Sequence, residues 1–154
     1  MSLLSQEIIE KIQDRSATKV LATLDEAGAP YAVVSRFLQL GANGQLVHLE
    51  LLEKSETNRN LLRSLWYETK IVISVGDLVI KGRPVKAHIS GPLFRQYYEQ
   101  VRTVIPDADL STVWVIEPEE VIDESYTIRK QQEEEQFPFC VHLDRLTVET
   151  NTNI

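Results

Sequence analysis

Residues 54–61, Lys-Ser-Glu-Thr-Asn-Arg-Asn-Leu, place a cation, two hydroxyls and two amides directly after a strand-like run. Leu61, Leu62 and Leu65 follow at helical spacing, so the segment reads as a helix that begins just past a strand. The first turn of such a helix offers unpaired backbone N–H groups and the positive end of the helix dipole. Lys54 adds a full charge, and Ser55, Thr57 and Asn58 add donors. That is the chemistry that holds a phosphate group. The same residues also make an ordinary capped helix, with Ser55 or Thr57 as N-cap.

Other reactive side chains are scattered. Arg36 stands in an apolar run, Val33-Val34-Ser35-Arg36-Phe37-Leu38. Strand alternation puts Val34 and Arg36 on one face, and Val33, Ser35 and Phe37 on the other. His48 and His88 fall in strand-like runs with no second ligand at metal spacing, so both read as structural and no metal site is expected. No Ser/His/Asp arrangement is readable, which gives a hydrolase no support. Cys140 is the one cysteine; it excludes an intramolecular disulfide and reads as a small buried hydrophobe. Trp66 and Trp114 read as core residues, and Gly82-Arg83-Pro84 as a turn.

With 154 residues, the chain is long enough for one domain with a substantial core. Its 16 basic and 23 acidic residues give a net charge of −7, which repels nucleic acid and anionic membrane. Any phosphate must therefore be held by local geometry rather than by the overall field. No apolar run is long enough to span a bilayer. The start, Met1-Ser2-Leu3-Leu4, leads into Gln6, Glu7, Glu10 and Lys11, an amphipathic helix rather than a signal peptide, so the expected location is cytoplasmic.

The elements that must position these groups follow from the pattern. Residues 5–14 read as a helix with an Ile8, Ile9, Ile12 stripe. Strand runs follow at 19–24, 31–40 and 45–51, with short turns at 25–30 and 41–44; Gly28 supplies a residue able to take positive φ. The helix at 55–66 leads to a strand at 70–75. A looser stretch at 76–84 precedes a strand at 85–94, bent at Gly91-Pro92. A helix at 95–104 and a strand at 111–116 complete the pattern, and 118–125 reads as exposed and acidic. In the tail, 126–130 has strand character, 131–136 is a polar loop or helix end, 137–141 is apolar and 147–154 is frayed. Six short strands with three helices predict a mainly β, closed or nearly closed antiparallel barrel.

The order of these elements resembles the FMN-binding split-barrel family, the pyridoxamine 5'-phosphate oxidase-like proteins. The resemblance is carried by Lys19-Val-Leu-Ala-Thr-Leu-Asp-Glu-Ala-Gly-Ala-Pro30, Lys54-Ser-Glu-Thr-Asn58, Lys70-Ile-Val-Ile-Ser-Val75 and His88-Ile-Ser-Gly91. It implies a six-stranded antiparallel Greek-key split barrel with flanking short helices over residues 1–125. Residues 126–154 would be an extension packing on the barrel or on a partner subunit. It implies FMN in a groove at a homodimer interface, its phosphate held by Lys54, Ser55, Thr57 and Asn58, its ring lined by Val34, Ser35 and Arg36. The activity implied is that of a small FMN-dependent oxidoreductase or electron carrier with an unknown small-molecule or protein redox partner. Thr57 stands where many members carry a basic residue, and Glu50 and Glu53 flank the expected phosphate position. These departures keep open a barrel that has lost FMN and serves as a binding or structural module, or one that takes a deazaflavin or haem.

Overall fold

The computed structural model describes residues 3–138. They divide into two compact units between Ile122 and Asp123. In the first unit, helix α1 (Gln6–Gln13) starts at Ser5, whose side chain accepts from the Ile8 N–H. Strand β1 (Lys19–Leu24) turns into β2 (Pro30–Val34), paired antiparallel from Val20↔Val34 to Leu24↔Pro30. Asp25 builds that turn: its carboxylate accepts from Ala27 N and Ala29 N at 2.9 and 2.8 Å. Gly28 takes φ +82°, a conformation that glycine adopts without a Cβ penalty.

The run read as one strand over 31–40 breaks. β2 ends at Val34, residues 35–38 turn, and β3 is only Gln39–Leu40. Strand β4 (Leu46–Glu50) leads to helix α2 (Glu56–Tyr67), then β5 (Ile71–Val75) and the long β6 (Leu78–His88). Helix α3 (Pro92–Val104) precedes β7 (Thr112–Asp123). The seven strands form one sheet in the order β2-β1-β5-β6-β7-β4-β3, with β2 and β3 at its edges. The expected count of six is thereby corrected. The sheet is open rather than closed, because no ladder joins β2 to β3 once the chain turns between them.

Three further boundaries differ from the expectation. After a two-residue turn at 76–77, residues 78–88 form one extended strand, and Gly82 is not part of a turn. Gly82 lies mid-strand because β7 crosses close by: a Cβ there would run into the backbone of Glu117 and Pro118. The bend expected at Gly91-Pro92 is the start of α3, with Gly91 as N-cap at φ +96° and Pro92 at the first helical position, where its missing N–H costs nothing. Strand β7 continues through Pro118, which is buried, rather than stopping at Ile116.

Two apolar clusters fill the first unit. One joins Leu21, Ile71, Ile73, Ile80, Trp114 and Ile116 with Ile12 of α1 and Leu61 of α2. The other joins Phe37, Val47 and Leu49 with Tyr97 and Val101 of α3. Strand β4 supplies Leu46 to the first and Val47 and Leu49 to the second, so all five of its residues are buried. Trp114 is core, as expected; Trp66 is not, and is 67% exposed on α2. In the second unit, residues 126–136 form helix α4 (Tyr126–Gln136) with no buried residue, so 126–130 is helix rather than strand and 131–136 is the helix end. Cys140 and the apolar residues 139–141, like 147–154, lie outside the described residues.

Candidate functional site

The head of α2 forms where the sequence placed it. Ser55 is the N-cap, its Oγ accepting from Asn58 N at 3.0 Å. The Asn58 side chain ties the helix start to its surroundings. Its Nδ2 donates to the Glu53 carbonyl at 2.8 Å, and its Oδ1 accepts from Trp114 Nε1 at 2.8 Å. Thr57 is buried, on the inner side of the helix with Asn60, Leu61 and Ser64. Asn60 Nδ2 donates to Thr23 Oγ1 of β1 at 3.0 Å. Lys54 is exposed and has no hydrogen bond or ion pair among the described residues.

The charges around this helix start are mostly negative. Glu50, Glu53 and Glu56 surround it, and Arg59 is paired with Glu56 at 2.6 Å. Against the three carboxylates stand Lys54 and Arg59, with Arg59 taken up by Glu56. The Ser55 hydroxyl already accepts from Asn58 N–H, and Asn58 holds Trp114. The carboxylates oppose a dianion here, while the dipole and free N–H groups of the helix start favour one.

At the other end of the expected site the residues converge. Val34, Ser35 and Arg36, at and just beyond the end of β2, all line one cavity of about 1050 Å³. The end of α1, the 15–19 segment and the end of α3 complete its wall. Val34 and Arg36 are exposed while Ser35 is 3% exposed, although the chain leaves the strand after Val34 and Arg36 stands in the turn. Asn58 lines a second cavity of about 580 Å³ between α2, β7 and the end of β6, together with Leu62, Ile89 and Trp114. Lys54, Ser55 and Thr57 line neither. Of the four expected phosphate residues only Asn58 lines either cavity, and it is not the cavity that Val34, Ser35 and Arg36 share.

Ser35 begins a buried polar chain that the sequence reading missed. Its Oγ lies 2.6 Å from His48 Nδ1, and His48 Nε2 lies 3.2 Å from Glu50 Oε1. Glu50 Oε2 accepts from Leu52 N at 3.2 Å. Burial works against the Glu50 charge, but the hydrogen bond and charge of His48, the Leu52 N–H and the Ser55 hydroxyl outweigh it. They hold the carboxyl below its usual range. An ionised carboxylate can only accept, so His48 Nε2 carries a proton; in the neutral ring Nδ1 then accepts from the Ser35 hydroxyl. His48 is therefore structural, as expected, but it sits in a Ser–His–Glu chain running from the cavity wall to the α2 head. The signal was present as polar residues at i and i+2 of an otherwise apolar strand. Among the described residues no group of three or more His, Cys, Asp or Glu side chains is placed to hold a metal ion, and no helix is long and apolar enough to cross a membrane.

No family model and no curated protein matches the chain. Solved structures do. HupZ of Group A Streptococcus superposes with a TM-score of 0.64 at 17% identity, over 80% of this chain and 96% of that one. An FMN-binding protein from Syntrophomonas wolfei subsp. wolfei gives 0.62 at 14% identity, over 78% and 88%. A protein from Lactobacillus delbrueckii proposed to be a pyridoxamine 5'-phosphate oxidase gives 0.57 at 20% identity, over 77% and 93%. Sheet order, the placement of α2 after β4 and these superpositions together give the chain the split-barrel fold of the pyridoxamine 5'-phosphate oxidase-like proteins.

Proposed function

We propose that the protein binds a flavin-type cofactor, FMN, along the end of β2 and acts as a small oxidoreductase or electron carrier. The observation that carries this reading is the convergence of Val34, Ser35 and Arg36 on one cavity of about 1050 Å³. Ligand sites of this kind typically span about 300–1,000 Å³. The fold shared with an FMN-binding protein supports it. When bound, the flavin supplies hydride or electron transfer, which is why the chain needs no acid–base pair of its own. Val34 offers an apolar surface for the ring. Ser35 is held in one orientation by His48, and Arg36 supplies positive charge beside it.

A homodimer belongs to the same reading. Val34 is 68% exposed, so a ring resting on it would keep one face in water unless a second subunit covered it. Trp66 and Ile89, 67% and 73% exposed, offer further apolar surface for such a contact. The carboxylates at the α2 head favour a second reading, in which the barrel has lost FMN and binds something else. Titrating the purified chain with FMN at tens of micromolar, roughly −6 kcal/mol at saturation, separates the two. Quenching of flavin fluorescence is expected, with sedimentation at about twice the 17.6 kDa chain mass. Unchanged fluorescence would remove the flavin, and a monomer under the same conditions would remove the shared interface.

A further inference from the structure

The cavity at the end of β2 is lined by Arg15, Lys19 and Arg36 and by no Asp or Glu. That is the reverse of the whole chain, in which 23 acidic residues outnumber 16 basic ones. The backbone brings the three cations together. Ser35 N donates to the Lys19 carbonyl at 2.8 Å, which sets Lys19 beside Ser35 and one residue from Arg36. The Lys19 ammonium reaches back to the Asp14 carbonyl at 3.0 Å, next to Arg15. Neither Arg15 nor Arg36 has an ion pair or hydrogen bond among the described residues; Arg36 only stands over the Phe37 ring at 5.9 Å. The nearest carboxylate in sequence, Asp14, is not in the lining. It is turned to Ser16, accepting from its N and Oγ at 2.9 and 2.7 Å.

We propose that this cavity is an anion site, taking a phosphate monoester dianion between Arg15, Lys19 and Arg36, and that the head of α2 is not the phosphate site. Two unpaired guanidiniums present planar donor forks suited to phosphate oxygens. Ser16, Thr18 and Ser35 add hydroxyls to the same wall. The C-terminal ends of α1 and α3 also border the cavity and oppose an anion, each with about half a negative charge. The Lys19 ammonium offsets the first by bonding the Asp14 carbonyl, and two full positive charges remain. Around the α2 head the balance runs the other way, with Glu50, Glu53 and Glu56 against Lys54 and the paired Arg59. The anion site stands on the cavity alone; only the assignment of the phosphate to FMN rests on the flavin reading.

Calorimetric titration of the full chain tests both. The ligands are FMN, riboflavin and inorganic phosphate; the variants are Arg15→Gln, Arg36→Gln, their double variant and Lys54→Ala. Both arginines are exposed, so the variants should fold, and their unfolding midpoints serve as the control. FMN affinity should fall about ten- to a hundredfold for each guanidinium removed, as for a lost charge-assisted hydrogen bond, with riboflavin unchanged in Arg15→Gln and weakened less than FMN in Arg36→Gln, whose side chain also lies beside the ring. Lys54→Ala should leave the FMN to riboflavin ratio as it was. Inorganic phosphate should bind the wild type and not the double variant. If phosphate binds in this way while no flavin binds, the anion site holds and the flavin reading fails. If FMN blocks phosphate, the site takes the flavin's own phosphate; if phosphate still binds the FMN-loaded protein, it serves a separate phosphorylated ligand. The proposal is overturned if Lys54→Ala, rather than the arginine variants, separates FMN from riboflavin, or if neither FMN nor phosphate binds the wild type.

Discussion

Replacing His48 with leucine tests the buried polar chain most directly. The His48–Glu50 pair is almost wholly inside, with side-chain exposures of 6% and 11%. Leucine fills much of the volume but supplies no hydrogen bond. Ser35 Oγ then loses its 2.6 Å partner, and Glu50 keeps only Leu52 N–H and Ser55. A buried hydroxyl left unpaired costs about 1–3 kcal/mol. Breaking a buried charged pair costs about 3–5 kcal/mol, the upper end applying where no other partner remains. Because Glu50 retains two partners, the expected total for His48→Leu is about 3–5 kcal/mol, or roughly 6–20 °C in Tm for a chain of this size. Glu50→Leu leaves the buried His48 Nε2–H unpaired and also takes the acceptor from Leu52 N–H and the Ser55 hydroxyl, which stand nearer to solvent, so it should cost about 1–3 kcal/mol. The double variant removes both buried partners and should cost about 1–3 kcal/mol less than the sum of the two. Urea unfolding of the four proteins at pH 7 measures the cycle. A His48→Leu loss below about 1 kcal/mol, or single costs that add to within about 0.5 kcal/mol, would refute the coupling.

Two other outcomes follow from the same geometry. The Glu50 carboxyl is held below the usual carboxylate range in the folded chain, so the stability it contributes is present above its unfolded pKa and is lost as pH falls through the folded pKa. The gap in unfolding midpoint between wild type and Glu50→Gln should therefore shrink on acidification from pH 7 to about pH 3; a gap that stays constant or widens contradicts the assignment. Gly82→Ala should destabilise by about 1–3 kcal/mol or more, since its Cβ would press on the Glu117 carbonyl and lie 3.2 Å from Pro118 Cα, backbone atoms that cannot swing aside. An unchanged thermal midpoint would mean that β6 and β7 do not cross closely there.

Much of the fold was legible because it is encoded locally. The Asp25–Gly28 turn, the alternation of β1 and β5, and the Ser55 cap with Leu61 inside are each set by residues within a few positions of one another. Errors arose where local preference met a distant contact. The run 31–40 has β character throughout, yet the chain turns at 35–38, where Ser35 bonds to His48 and Phe37 enters the second apolar cluster. Gly82 looked like part of a turn, but it lies mid-strand where the backbone of Glu117 and Pro118 comes too close for a Cβ, and Pro118, expected in an exposed stretch, is buried within β7. Trp66 looked like core because its type usually is; its position on α2 points it outward.

The candidate site divides in the same way. Sequence alone determined the capped start of α2 after β4, since cap chemistry is a local property. It did not determine which side chains act together. Arg15 carries no motif and Lys19 only opens a strand run, and they meet Arg36 only because β1 pairs with β2 and brings the end of α1 alongside. His48 and Glu50 become a linked pair only because β4 is covered on both faces, which removes water as an alternative partner. Tertiary structure decides such groupings because charges and hydrogen bonds act through distance and local dielectric, and neither is fixed until the strands pair.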